Sequence, residues 1–169
     1  SVILGTALAW HDFHIDIITS LVTFLSAICI QIGTNFSNDI SDFLKGADTK
    51  ERLGPIRATQ SGLLTIKQLK IGTIIIFSIA ILFGFYLAYI GGMPIVIIGL
   101  TSIAAGILYT AGPYPIGYHG MGDIFVFMFF GIIAVSGTYF LQTGYITQET
   151  IFCGIAIGFL STAITSILF

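Results

Sequence analysis

Charged residues are scarce in this 169-residue sequence. Only 8% of the residues are Asp, Glu, Lys or Arg, whereas 56% are hydrophobic. A soluble domain carries roughly 25% charged residues, so a water-soluble fold would have too few polar groups to cover its surface. Cysteine is also scarce: Cys29 and Cys153 stand singly in apolar runs without a second ligand nearby. This pattern favours packing over redox or metal-binding roles for both thiols.

Long apolar runs make up most of the chain. The runs 71–90, 94–109, 124–141 and 151–169 approach or reach the roughly 20 residues that cross about 30 Å of hydrocarbon. We therefore predict an all-α, polytopic transmembrane helix bundle with about five full spans and a partial first span. We expect residues 1–169 to form one membrane domain. Because the chain lacks an initial Met and stops inside an apolar run, we also expect it to be truncated at both ends.

Glycine and proline mark the connections between the predicted helices. A turn is predicted at Gly91-Gly92, and Pro94 suits the first turn of the helix that follows. The predicted helices cover 1–10, 17–44, 67–90, a segment from Pro94, 123–141 and a last segment from about 151, with polar loops at 45–66 and 112–122.

All six Lys and Arg residues lie between Lys45 and Lys70. The positive-inside rule therefore places the 45–66 loop in the cytoplasm, and counting crossings places the 112–122 loop on the same face. We expect a multi-pass protein of the cell membrane, the bacterial inner membrane, in contact with the lipid bilayer. We expect no nucleic-acid partner.

A polar stripe runs along the second predicted helix. Asn35, Asn38, Asp39 and Asp42 are spaced i, i+3, i+4 and i+7, which places them on one helical face. Polar groups facing lipid would go unsatisfied, so this stripe is predicted to line a cavity. Two carboxylates one turn apart repel each other, and Mg²⁺ would hold both ionised. The alternative is a helix end that emerges into water, with solvated carboxylates.

Basic residues follow the stripe within about 20 residues. Lys45, Lys50, Arg52 and Arg57 could grip phosphate oxygens, the two Arg residues through a planar, always charged fork. Carboxylates that hold Mg²⁺ beside bases that hold phosphate are typical of a diphosphate site. The alternative is that these bases only set the membrane topology.

The second polar loop, YTAGPYPIGYHGMGD, covers residues 109–123. Tyr109, Tyr114 and Tyr118 offer ring faces that could stabilise a carbocation, and Asp123 opens the next helix. The alternative is that the tyrosines are ordinary interfacial anchors and that Asp123 caps the helix or complements its dipole.

These two segments carry a resemblance to a known family. The run Asn38-Asp39-Ile-Ser-Asp42, followed by KGADTKERLGPIRATQSG and then YTAGPYPIGYHGMGDIFVFMFFG, resembles the UbiA superfamily of intramembrane aromatic prenyltransferases. Within it, the likeness is to members that act in menaquinone biosynthesis. The resemblance implies Mg²⁺-dependent transfer of a polyprenyl group from a polyprenyl diphosphate to 1,4-dihydroxy-2-naphthoate. It also implies a further Asp-rich segment beyond Phe169.

The resemblance implies roles for individual residues. The metal ligands would be Asp39, Asp42 and Asp48. Arg52 and Arg57 would steady the leaving diphosphate and act with Asp39 and Asp42 in catalysis. The implied substrate-binding residues are Asn35, Asn38, Lys45, Tyr109, Tyr114, Tyr118 and Asp123.

A cation-coupled membrane transporter is the competing hypothesis, with the amide and acid stripe as its ion site. Such a protein would carry polar groups along a continuous path across the membrane. This sequence instead concentrates its acids at one end of the predicted helices, next to bases that suit phosphate. A purely structural membrane subunit would leave the clustered acids without a role.

Overall fold

The computed structural model describes residues 1–46, 62–111, 115–119 and 121–168; the side chains of Tyr118, His119 and Leu168 lie outside this description. Within these ranges the chain is helical and contains no strand, which confirms the predicted all-α fold. The elements are α1 (Val2–His11), α2 (Ile17–Lys45), α3 (Ile66–Leu108), a 3-10 helix (Ile116–His119), α4 (Gly122–Val126), a π-helical segment (Phe127–Ile133), α5 (Ala134–Thr143) and α6 (Gln148–Leu168).

Helix α3 is broken at Gly92. This residue has φ +66° and ψ −156°, whereas the residues on both sides are helical. Such a conformation is open to glycine because it has no Cβ, so the turn predicted at Gly91-Gly92 is confirmed. Pro94 lies two residues later, where the missing N–H of proline costs no helical hydrogen bond.

The two halves of α3 run in opposite directions against α2. In the first half, Gly72 lies against the ring of Phe36, and Tyr86 shares a hydrogen bond of 3.2 Å with Thr19. In the half after Gly92, the chain returns along α2, so Gly106 lies against Thr34 and Thr110 bonds to Asn38.

Four helical stretches are long and apolar enough to cross a membrane when α3 is counted once. Because α3 has 43 residues and reverses at Gly92, its segments 66–91 and 93–108 run antiparallel to each other. The count of four differs slightly from the predicted five full spans, since the prediction counts these two segments separately, and the ten-residue α1 is the predicted partial span. The chain is therefore a multi-pass membrane protein.

The described bundle has two distinct ends. At one end, which we call the acidic end, lie the C-terminal turn of α2, Tyr109 after α3 and the start of α4 at Asp123. At the other, the far end, lie the α1–α2 connection, Gly92 and Gly144. An apolar core near the far end joins three buried side chains: Leu87, Ile95 and Leu141.

The connection between α1 and α2 is bound to the C-terminal end of α5. The Tyr139 hydroxyl donates to Asp12 Oδ2 at 2.5 Å, and the Asp16 backbone N–H donates to Gln142 Oε1 at 2.7 Å. The Tyr139 hydrogen bond, together with His11, lowers the pKa of Asp12. These contacts fix the short 12–16 connection on the bundle.

Helix α1 ends in a Schellman motif with an unusual residue. Phe13 N–H donates to the Trp10 carbonyl and His14 N–H to the Ala9 carbonyl, each at 2.9 Å. The left-handed position of this motif usually holds glycine, yet here it is Phe13, with φ +61°. The Phe13 side chain is 95% exposed, so packing against described residues does not account for it.

A π-helical segment separates α4 from α5. It covers Phe127–Ile133 and contains Gly131, on which α6 packs so closely that a Cβ would lie 2.5 Å from the backbone of Gly158. The Ser1 hydroxyl donates to the carbonyl of Phe130 within the same segment. The segment thus contacts α6 on one side and the start of α1 on another.

Candidate active site

Two buried carboxylates lie in the last turns of α2. Asp39 is 5% exposed and Asp42 is 4% exposed. They lie three residues apart, close to the Gly46 cap, whose left-handed φ of +65° ends the helix. Carboxylates this deeply buried need positive or hydrogen-bonding partners, because an unpaired buried polar group costs free energy.

A cavity of about 1100 Å³ lies between the helices beside these carboxylates. Its volume slightly exceeds the roughly 300–1,000 Å³ range of small-molecule sites. All the helices contribute to its wall, and most of the wall is aliphatic or aromatic, as at Ile28, Phe129 and Ile133. Among the described lining residues, Asp42 is the one carboxylate. The cavity is therefore mainly apolar, with an acidic group at one end.

The polar stripe divides around the helix. Asn35, Asn38 and Asp42 line the cavity, as does Gln31 one turn deeper. Asp39 is not among the described lining residues, although the sequence pattern predicts it there. Its position is about 100° around the helix from Asn38, which turns it out of the cavity wall and into a buried setting.

A set of hydrogen bonds joins α2 to the end of α3. The Thr110 hydroxyl donates to Asn38 Oδ1 at 2.8 Å, and the Thr110 carbonyl accepts from Lys45 Nζ at 2.6 Å. Thr110 is 4% exposed and lines the cavity, whereas Lys45 is exposed, so the Thr110 end of this connection is shielded from solvent. One residue of the second polar loop thus holds two residues of α2 in place.

Tyr109 is held in place by two glycines. A Cβ on Gly117 would lie 2.8 Å from Tyr109 Cε1, and a Cβ on Gly122 would lie 2.6 Å from the Tyr109 hydroxyl. Gly117 N–H also donates to the Tyr109 carbonyl at 2.9 Å. Burial, and then the negative charge of Asp123, raise the pKa of Tyr109. The phenol therefore stays protonated at neutral pH and can donate a hydrogen bond at the cavity wall.

Asp123 lies in the first turn of α4, close to the last turns of α6. Ser166 Oγ donates to Asp123 Oδ1 and Thr162 Oγ1 donates to the Asp123 carbonyl, both at a long 3.4 Å. A carboxylate in the first turn also complements the helix dipole. Asp123 therefore lies at the start of a helix, as expected, and also contacts α6.

The structure brings together one group of the predicted site residues at the acidic end: Asn35, Asn38, Asp39, Asp42, Lys45, Tyr109 and Asp123. Asp48, Arg52, Arg57 and Tyr114 lie outside the described residues, as does the side chain of Tyr118.

Sequence reasoning missed Thr110 and the glycines around Tyr109. Thr110 stands next to a predicted site residue in a polar loop, and a hydroxyl at a helix end is a common hydrogen-bonding group. That position alone does not reveal its partner, because Asn38 is 72 residues away. The Gly and Pro content of this loop predicts an irregular backbone that allows close approach of a ligand, but it does not indicate that Gly117 and Gly122 pack against the Tyr109 ring.

The donor chemistry at the acidic end fits a hard divalent cation. Mg²⁺ is usually bound by one or two carboxylates and completes its shell with water and substrate phosphates. Asp39 and Asp42 supply two buried carboxylates one helical turn apart. Within residues 1–46, 62–111, 115–119 and 121–168, no group of three or more His, Cys, Asp and Glu side chains could hold a metal by itself. A cation here would share its shell with other ligands, such as substrate phosphates.

Long apolar helices around a mainly apolar cavity, with buried carboxylates at one end of the bundle, define a class: polytopic membrane proteins with an internal cavity. The sequence profile of the UbiA prenyltransferase family matches residues 1–168. The chain belongs to this family, which confirms the resemblance found in its two polar segments.

Named relatives agree with this assignment. The chain is 37% identical over 173 residues to "1,4-dihydroxy-2-naphthoate octaprenyltransferase" of Escherichia coli, covering 99% of this chain and 56% of that protein. Proteins of the same name from Bacillus subtilis and Mycobacterium tuberculosis are 37% and 33% identical, covering 96% and 86% of this chain and 52% and 49% of their own lengths. The chain thus spans about half the length of these relatives. No solved structure matches it.

Proposed function

We propose that the protein transfers a polyprenyl group from an allylic diphosphate to 1,4-dihydroxy-2-naphthoate, a step of menaquinone biosynthesis that gives demethylmenaquinone. The observation that carries this proposal is the buried carboxylate of Asp42 at one end of a large apolar cavity, with a second buried carboxylate, Asp39, three residues before it on α2. An amphipathic substrate with an anionic head and an isoprenoid tail matches that distribution of polarity. We infer the acceptor, 1,4-dihydroxy-2-naphthoate, from the names of the relatives.

Each part of the cavity has a proposed task. Asp39 and Asp42, with Asp48, would hold Mg²⁺, which when bound supplies positive charge to the diphosphate. Lys45, Arg52 and Arg57 would stabilise the negative charge that develops on the leaving group. The aliphatic wall would accommodate the isoprenoid chain and exclude water from the reacting carbon.

The bonds that change follow from the substrates. The allylic C–O bond breaks, and its electron pair leaves with the diphosphate. The electron-rich naphthoate ring attacks the allylic carbon, forming a C–C bond, and the ring carboxylate departs as CO₂. Tyr109, neutral and held at the cavity wall, would face the developing cation with its ring. The proposed setting is the cell membrane, with the acidic end facing the cytoplasm because every Lys and Arg lies in the 45–70 segment.

The test is an assay of the complete protein in detergent or vesicles. A polyprenyl diphosphate and 1,4-dihydroxy-2-naphthoate are supplied with and without Mg²⁺, and prenylated product and CO₂ are both measured. We expect product only when both substrates and the cation are present. Cation flux across vesicles without any prenyl transfer would favour the transporter hypothesis and contradict the proposed reaction.

A further inference from the structure

We propose that Thr110 is a positioning residue that fixes the orientation of the Asn38 amide, so that the Asn38 NH₂ group donates to an oxyanion of the substrate. This inference rests on the proposed function for the identity of the substrate. Its structural basis is separate from that function, because it depends on the hydrogen bonds between α2 and the end of α3.

The orientation follows from the chemistry of the two side chains. An amide oxygen only accepts hydrogen bonds, whereas an amide NH₂ only donates them. Asn38 Oδ1 accepts from the Thr110 hydroxyl at 2.8 Å, which directs the oxygen toward α3. Asn38 lines the cavity, and no group in the described part of the chain hydrogen-bonds to its Nδ2. The two N–H donors are therefore available to a ligand in the cavity.

The ligand must be an acceptor, and an anionic acceptor binds best. Asn38 lies one turn before Asp42, the carboxylate of the cavity wall, so it is next to the proposed diphosphate position. Two sources of oxyanion are present in the reaction: the diphosphate and the carboxylate of the naphthoate. Both accept from an amide N–H, and separate kinetics for each substrate distinguish them.

Thr110 suits this role because it is buried and because its two polar groups act separately. The hydroxyl contacts Asn38, and the backbone carbonyl contacts Lys45 at 2.6 Å. Valine has the shape of threonine without the hydroxyl, so T110V removes the Asn38 contact and retains the carbonyl that holds Lys45. Serine retains the hydroxyl, and T110S is expected to restore most of the activity lost in T110V.

The decisive experiment is a double-mutant cycle in the full-length protein: wild type, T110V, N38A and T110V/N38A. One hydrogen bond contributes about 1 kcal/mol, so we expect T110V to lower kcat/KM about fivefold. The change should appear mainly in the KM of the substrate whose oxyanion Asn38 contacts. In the N38A background the same substitution should have almost no effect, since the amide it positions is gone.

A packing role for Thr110 predicts a different result. T110V would then lower kcat/KM by the same factor with and without the Asn38 side chain. That outcome would overturn the proposal, and so would full activity of T110V. The matched control is T101V on α3, nine residues before Thr110, where among the described residues an exposed threonine hydroxyl bonds only to the carbonyls of its own helix. T101V should leave both KM values unchanged.

Failure of the proposed function would look different from failure of the positioning role. If the wild-type protein transfers no prenyl group to the naphthoate, the reaction assignment is wrong. The same four variants are then compared by titration with inorganic pyrophosphate and Mg²⁺. 1,4-Dihydroxy-2-naphthoate is titrated in the same way. The positioning role is supported if T110V binds either anion more weakly than wild type while T110V/N38A binds it as well as N38A does. Equal binding of both anions by all four proteins would reject the role.

Discussion

Replacement of Phe13 by glycine should stabilise the protein. Phe13 occupies the left-handed position of a Schellman motif with φ +61°, and this conformation costs a residue other than glycine about 1–2 kcal/mol. Its side chain is 95% exposed, so its removal sacrifices little buried contact with the described residues. Glycine loses more backbone entropy on folding, by roughly 0.5–1 kcal/mol. The difference predicts a net gain of about 0.5–1 kcal/mol for F13G.

The assay is thermal unfolding of the complete protein in mild detergent, followed by helical circular dichroism. For a protein of about 300 residues, the length of the relatives, a gain of this size corresponds to an increase of about 1 °C in Tm. F13N should show a similar gain, because asparagine enters the left-handed region readily and lacks the entropy cost of glycine. F13A should show none, since alanine keeps the steric cost. A lower Tm for F13G than for F13A would refute the reasoning, because it would mean that backbone strain at this position is not what limits stability.

Two further predictions concern carboxylates at opposite ends of the bundle. D39N and D42N should each reduce prenyl transfer by about 10²-fold or more, while membrane insertion stays normal. This magnitude is typical of the loss of one charge-stabilising group from an active site. If either variant turned over like wild type, that residue would not belong to the site. D12N at the far end should retain activity and show a lower Tm at neutral pH. Since the pKa of Asp12 is lowered in the fold, its stabilising effect is present above its unfolded pKa of about 3.9 and is lost as the pH falls through the folded pKa. Melting curves at several pH values should therefore converge for D12N and wild type in acid, and a constant difference would contradict the role of its ionised hydrogen bond to Tyr139.

Local signals in the sequence predict most of the helices and the break at Gly92, but not the π-helical segment within the predicted helix 123–141. Glycine at 92 and proline at 94 predicted the reversal within α3, and the predicted second helix, 17–44, matches Ile17–Lys45 closely. These features depend on backbone preferences and on the apolar length needed to cross a bilayer, and both can be read in a short window.

Contacts between distant residues could not be read in the same way. The spacing of Asn35 to Asp42 predicted one face, but the cavity wall includes only part of it, because the width of the wall depends on how α3 packs. The hydrogen bond from Thr110 to Asn38 joins residues 72 positions apart, and the spacing of residues along a helix does not indicate such a pair. Phe13 at a position that normally holds glycine gave no turn signal at all.

The π-helical segment Phe127–Ile133 makes the chain sensitive to where a residue is lost. Its hydrogen bonds reach five residues back instead of four, so it holds one residue more than an α-helix of the same rise. Deletion of a single residue there would restore regular α-helical winding and leave the residues before and after it in nearly the same phase. The same deletion in the regular first turn of α5 would rotate Tyr139 by about 100° away from Asp12, and the far end would lose its attachment to α1 even though no contacting side chain had been altered.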